Sequence, residues 1–322
     1  MKLLCLFFLS IVILSCSNNN ESVYISDTSD KYEIVQDSIF RTFNGNKEIS
    51  SIVFSSVPQK VIVLATPLYS YIRALNVERN VVGMLSLERL SGIPTSIKSL
   101  GKNNEIDLEK IIELSPDLII CNSFQLKSIS RLKTKYQILV IDEYLENNPL
   151  RKASWIVFFG ALFHKKTESN NIYSKIKRNY TSFPSEDIKV IQLNNYGGKW
   201  YLPGCKSYIS QVIRDAGGEV DCDSEKVGSD VISEESAMVK LNKLDYLLFF
   251  DHAEDTSGLK IRLKPVLDLV KSNKLKVLYC NTIKTDFFNE SILNPDVVLT
   301  GFNSLITQGI DGEFFKLIIL EN

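Results

Sequence analysis

Apolar and polar positions divide the chain into three regimes. The first is a nearly continuous apolar run of twelve residues, Leu3 to Leu14, preceded by a single charge, Lys2. Crossing a bilayer comfortably takes about 20 apolar residues, so this run has the length of an export signal instead. The second regime, residues 17–30 (SNNNESVYISDTSD), is polar and has no period, which predicts a flexible tether. Regular structure is expected to begin between residues 32 and 58.

In the third regime short apolar runs alternate with helical patterns. Lys60 to Ala65 is a β-branched run of strand length, and 67–76 reads as a helix with proline in its first turn. A strand is expected at 80–85. Residues 107–114 (DLEKIIEL) predict a helix capped by Asp107 and ended by Ser115-Pro116. A strand at 117–121, a helix at 124–133 and a strand at 137–141 follow. From Leu150 to about Tyr180 one long helical stretch is interrupted only by Gly160, with Ile156, Phe159, Leu162, Phe163, Ile172 and Ile176 at helical spacing. Alternation then resumes, with strands at 188–193 and 199–202 and a helix at 207–215 closed by Gly217-Gly218. Beyond it are expected a helix at 234–242, a strand at 245–250, a helix at 260–270 and strands at 275–280 and 296–300.

Such alternation implies parallel pairing through helical crossovers. The expected fold is α/β: two Rossmann-like lobes with central, mainly parallel sheets, joined by one long α-helix, with a ligand cleft between the lobes. The expected division is a signal peptide at 1–15, a lipidated N-terminus and tether at 16–50, an N-terminal lobe at 51–150, a linking helix at 151–182 and a C-terminal lobe at 183–322.

Ile13-Leu14-Ser15-Cys16 looks like a lipobox, where a peptidase would cut after Ser15 and leave Cys16 to carry the lipid. Two or more acyl chains, at about 0.8 kcal/mol per buried CH₂, give a stable anchor. That predicts a chain anchored to a membrane of the cell envelope and facing the periplasm. A net charge of −1 excludes the basic stripe that a nucleic-acid partner requires. Past Cys16, the cysteines Cys121, Cys205, Cys222 and Cys280 have no CxxC spacing. One disulfide is open to an exported chain, with Cys205 and Cys222 nearest in sequence, but four buried or partly buried free thiols are the favoured reading. Only His164 and His252 exist, too few to bind free zinc or manganese. Neither a GxSxG elbow, a phosphate-cradling glycine loop nor HExxH occurs, so neither an enzyme nor a cofactor is expected.

Residues 105–121 (EIDLEKIIELSPDLIIC) resemble a segment of the periplasmic binding proteins that serve ABC importers of iron–siderophore, haem and vitamin B12. Residues 144–163, Gly198 to Gly204 with Ser207-Tyr208, Asp215 to Gly218, Glu235 to Asp245 and Asn294 to Leu299 are similar to later segments, in the same order. The resemblance runs from about residue 58 to 310. It implies a monomeric substrate-binding lipoprotein that takes a ferric siderophore, haem or cobalamin to a permease dimer. It also implies that Glu109 and Glu235, one per lobe, dock on that permease, with Glu234 as an alternative to Glu235.

By matching position the ligand residues would be Tyr69, Glu143, Tyr144, Trp200, Tyr201 and Tyr208. Flat aromatics suit a macrocycle or catecholate, and Arg151 is the arginine placed to meet an anionic group. His252 follows a strand in a loop that could face the cleft. Ser154, Thr300 to Asn303 and Gln308-Gly309 depart from the family pattern. These departures give weight to another reading, a lipoprotein that keeps the fold as an adaptor or surface-binding protein.

Overall fold

The computed structural model describes residues 28–318 apart from 104, 197, 253–255 and 273–274. The export signal, Cys16 and residues 17–27 of the expected tether lie outside the described residues.

Regular structure begins at residue 32, the first residue of the expected window, and so takes up the later part of the segment divided off as tether. Tyr32–Val35 (β1), Ile39–Asn44 (β2) and Lys47–Val53 (β3) form an antiparallel meander. Phe40 and Thr42 in β2, and Ser50 and Ile52 in β3, turn inward with a period of two. Because two of these four inward residues are polar, the period is hidden from a hydrophobicity reading.

The N lobe proper comprises Val61–Val63 (β4), Thr66–Ala74 (α1), Val81–Met84 (β5), Lys98–Ser99 (β6), Gly101–Lys102 (β7), Glu105–Ile106 (β8), Leu108–Leu114 (α2), Leu118–Cys121 (β9) and Gln137–Val140 (β10). Its sheet is parallel throughout, in the order β10-β9-β4-β5-β6. Thr42 donates to the Val140 carbonyl (2.6 Å) and Ser50 to that of Ile138 (3.1 Å). The meander thereby occupies carbonyls of edge strand β10 that would otherwise offer a pairing template. Asp117 accepts from the backbone N–H of Gln59 (2.8 Å) and Lys60 (2.9 Å), tying the start of β9 to that of β4. The helix expected at 124–133 is instead two single turns, Ser123–Gln125 and Ser130–Leu132. A capping box between Asn122 and Gln125 closes the first, and buried Gln125 is drawn inward to donate to the Leu64 carbonyl (2.8 Å).

The single linking helix is corrected to two, Pro149–Leu162 (α3) and Lys166–Asn179 (α4). Phe163 to Lys165 break them, with His164 at φ +54°. α4 packs tightly against α3 at Gly160, where a Cβ would lie 2.0 Å from Ser169 Oγ. Trp155, Phe158 and Phe159 of α3 belong to the N-lobe core. Tyr173 and Ile176 of α4 belong to the same core, and both helices reach the C lobe: α3 packs against α5 and α10, and α4 against α10, where Asn179 donates to Asp296 (3.1 Å).

The C lobe comprises Lys189–Gln192 (β11), Asn194–Tyr196 (β12), Lys199–Pro203 (β13), Tyr208–Asp215 (α5), Glu219–Val220 (β14), Ser229–Ile232 (β15), Glu234–Leu241 (α6), Tyr246–Asp251 (β16), Thr256–Arg262 (α7), Leu267–Lys271 (α8), Lys276–Asn281 (β17), Phe287–Glu290 (α9), Pro295–Gln308 (α10) and Lys316–Ile318 (β18). Its sheet runs β14-β11-β16-β17-β18, parallel except for β18. β12, β13 and β15 form a separate antiparallel sheet. The strand expected at 296–300 is the start of α10, opened by Pro295. Its apolar triplet Val297-Val298-Leu299 continues into Phe302, Leu305 and Ile306, a helical spacing that buries one face. The helix expected at 260–270 is divided by a turn at Lys264–Val266, where Pro265 interrupts it.

Cys205 and Cys222 form a disulfide, while Cys121 and Cys280 are free and buried, so four free thiols are excluded. Among the described residues no helix is long and apolar enough to cross a membrane.

Candidate functional site

Parallel strands deliver their following loops to one end of a sheet, and ligands of open α/β folds bind there. In the N lobe that rim is formed by residues after β4, β9 and β10. Phe124 and Tyr144 stand on it, 59% and 40% exposed, with rings edge to face and centroids 5.8 Å apart. Partial burial raises the Tyr144 phenol pKa, with Ser123 bonding against that shift.

Beneath these rings the rim is charged and closed. Glu143 is 1% exposed and accepts from Asn122 Nδ2 (3.3 Å). Burial raises the Glu143 pKa, and Lys152 and then Asn122 oppose the rise. Burial also holds the Lys152 ammonium below its ordinary range, with Glu143 and Glu146 opposing. The half-buried Lys152 lies over the Tyr208 ring of the C lobe (5.3 Å), where the lobes meet.

The C-lobe rim differs in kind. β16 is apolar except for its last residue, Asp251, which is 3% exposed. Asp251 holds Arg262 Nε at 2.8 Å and His252 Nδ1 at 3.2 Å, and Arg262 Nη2 lies 3.4 Å from His252 Nε2. The Arg262 side chain is 42% exposed. A buried carboxylate therefore aims a guanidinium outward, while the remaining donors of its fork suit a carboxylate or catecholate oxygen. Tyr196 and Tyr201 stand on the hairpin after β11, centroids 5.9 Å apart. Burial and then Asp251 raise the Tyr196 phenol pKa, and Arg262 opposes them.

Several expected ligand residues are placed elsewhere. Tyr69 is 1% exposed in the N-lobe core and Trp200 is 0% exposed in the C-lobe core, since α1 and β13 turn these positions inward. Arg151 pairs with Asp30 (2.9 Å), so it holds the N-terminal segment rather than offering a free guanidinium. Glu143 and the half-buried Tyr208 lie beneath the rim, at the lobe junction. Tyr144, Tyr201 and His252 remain on the rims. Sequence reasoning missed Phe124, Tyr196, Asp251 and Arg262. Asp251 had a signal, a lone acid ending the buried run YLLFF, whereas Arg262 comes near it only through the return of α7. Among the described residues no three His, Cys, Asp or Glu side chains converge as a metal site.

The two glutamates occupy equivalent positions. Glu109 and Glu235 are each the second residue of a helix, α2 and α6, and both are exposed. The caps match as well: Asp107 accepts from Lys110 N (3.0 Å) and Ser233 from Ser236 N (3.1 Å). Asp245 repeats the role of Asp117, accepting from Lys189 N at the start of β11 (2.8 Å).

A profile of the family described as periplasmic binding protein matches residues 62–275. An uncharacterized lipoprotein of Methanocaldococcus jannaschii is 27% identical over 167 residues, which cover 49% of this chain and 38% of that protein. The chain thus matches well under half the length of that relative. Several solved structures share the fold. One is an iron-uptake ABC-transporter substrate-binding protein of Streptococcus pneumoniae (TM-score 0.61, 21% identity, 80% of this chain and 95% of that one). A periplasmic haem-binding protein of Vibrio cholerae gives TM-score 0.60 at 13% identity, over 78% and 99%. A siderophore-binding protein of the same organism, solved with Fe³⁺-Desferal, gives 0.57 at 17%, over 77% and 99%.

Proposed function

Since the chain belongs to the periplasmic binding protein family, an extracytoplasmic family of substrate-binding rather than catalytic proteins, we propose that it is the lipid-anchored substrate-binding component of an ABC importer for an iron complex, a ferric siderophore or haem, or a corrinoid. The observation that carries this reading is the pair of rims at the strand ends. One presents Phe124 and Tyr144; the other presents Tyr196, Tyr201 and an Arg262 held by buried Asp251. Flat rings supply apolar area with little rotamer entropy to lose, and the guanidinium supplies a directed contact to an anionic group. The iron, haem and siderophore ligands named for proteins of the same fold support that chemistry.

In this reading Cys16 carries the lipid, and Glu109 and Glu235 register the loaded protein on a permease dimer. Matched charges at matched sites in two lobes suit a two-fold partner, steering the complex more than tightening it. The protein would act as a monomer without a cofactor.

The test is native mass spectrometry of residues 17–322 exposed to ferric siderophores, haem and cobalamin. One-to-one retention of one of these is expected. A folded chain that retains none would contradict the reading and favour the adaptor alternative.

A further inference from the structure

The first described residues are fastened to one end of the N lobe. Ser29 is 4% exposed; its N–H donates to Ser154 Oγ (2.9 Å) and its hydroxyl to Glu146. Asp30 pairs with Arg151 at 2.9 Å. Glu146 belongs to the loop that leaves the C-terminal end of β10, and Arg151 and Ser154 lie in the first turns of α3 just beyond it. That end is the rim bearing Tyr144 and Phe124.

The docking glutamates are on the same end. Only Ser115 to Asp117 separate α2 from β9, so the C-terminus of α2 abuts the start of β9. The helix runs back along the sheet, packed on β5, so Glu109 lies toward the rim end of the lobe. α6 precedes β16 in the same way, with four residues between them, which puts Glu235 at the rim end of the C lobe.

Residues 17–28, twelve in all, separate Cys16 from Ser29. Fully extended they span about 40 Å. We propose that this short tether leaves the protein at the cleft rim and so turns the cleft and the docking helices toward the lipid surface. The tether then orients the protein as well as concentrating it at the membrane. This rests on the lipid-anchor part of the proposed function and needs no ligand.

The experiment uses the mature lipidated chain, from Cys16 onward, on phosphatidylcholine vesicles containing a nitroxide-headgroup lipid. A fluorophore is attached through Lys127→Cys, beside the rim after β9, or Lys135→Cys, just before β10 at the opposite end of the sheet. Both lysines are exposed, and the native thiols are lipidated, buried or disulfide-bonded. At least twofold stronger quenching is expected at position 127. Inserting 24 Gly/Ser residues after residue 27 should bring the two positions together. Equal quenching in the unextended chain, stronger quenching at 135, or failure of the chain to stay on the vesicles would overturn the proposal. Asymmetric quenching in a chain that retains no chelate would leave the orientation standing while removing the transport reading.

Discussion

The two lobes repeat one unit and finish it differently. In each, a capped helix with glutamate in its second position leads into a buried strand whose preceding aspartate grips the lobe's first strand. Past the strand the likeness stops. The N lobe buries its rim carboxylates, Asp142, Glu143 and Glu146, and shows the cleft an aromatic face. Among its described residues the C lobe buries one carboxylate, Asp251, and uses it to hold a cation outward. The N lobe is also braced by the meander and α3, while the C lobe is stitched by a disulfide. The repeated part sets position, and the divergent loops set what a ligand meets.

The largest effects should come from the two tryptophans, one in each lobe. Trp155→Ala and Trp200→Ala should each cost about 3–5 kcal/mol in urea unfolding, because both indoles are fully buried. A Trp200→Ala change that left stability within about 0.5 kcal/mol would return that residue to the cleft surface. Next, replacing Cys205 and Cys222 together by serine should cost about 3 kcal/mol by chain entropy, given the separation of 17 residues. This loss should fall on the C lobe, which hydrogen exchange lobe by lobe would show.

Arg262→Ala should weaken binding of an anionic chelate by about 1.5–3 kcal/mol, roughly ten- to more than a hundredfold. It should leave a neutral corrinoid within about twofold, and Arg262→Lys should fall between the two because lysine lacks the planar fork. Titration calorimetry measures all three, and an equal loss for both ligands would deny the cation its role.

The smallest effect is in pH dependence, and it belongs to the N lobe. Burial raises the Glu143 pKa above its ordinary value of 4.5. A raised folded-state value means that the protonated form fits the fold better. Its contribution to stability is complete below the ordinary value and is lost as pH rises through the raised one. Glu143→Gln should therefore flatten the decline of stability with pH above about 4.5 in urea titrations. A slope unchanged by the substitution would place the dependence elsewhere.

Much of the scaffold was legible because parallel sheets buried on both faces need continuous apolar runs. Val61 to Val63, Leu118 to Cys121 and Tyr246 to Phe250 show this plainly. The capped helices were legible for an equally local reason, since Asp107 and Ser233 act within three residues. The meander was not, because Thr42 and Ser50 face inward to serve the carbonyls of β10, a demand set by a distant strand. Nor was the break in the linking helix, since residues 163–165 contain neither glycine nor proline and the close approach at Gly160 requires α4 to be in place. Of the rim residues, Tyr144 and Tyr201 were named only through the family resemblance, and His252 from its place in a loop after a strand. Tyr69 and Trp200 could not be separated from them, because which face of α1 or β13 meets the core is a tertiary fact.

The most direct test is equilibrium binding of radiolabelled ferric chelate to the wild type and to the Tyr144→Ala/Tyr201→Ala variant, one tyrosine from each rim. The account predicts one site per chain in the wild type and about two- to tenfold weakening for each ring removed, with the thermal midpoint unchanged. Undiminished binding in the double variant, or no binding to a folded wild type, would contradict a chelate held between the two rims.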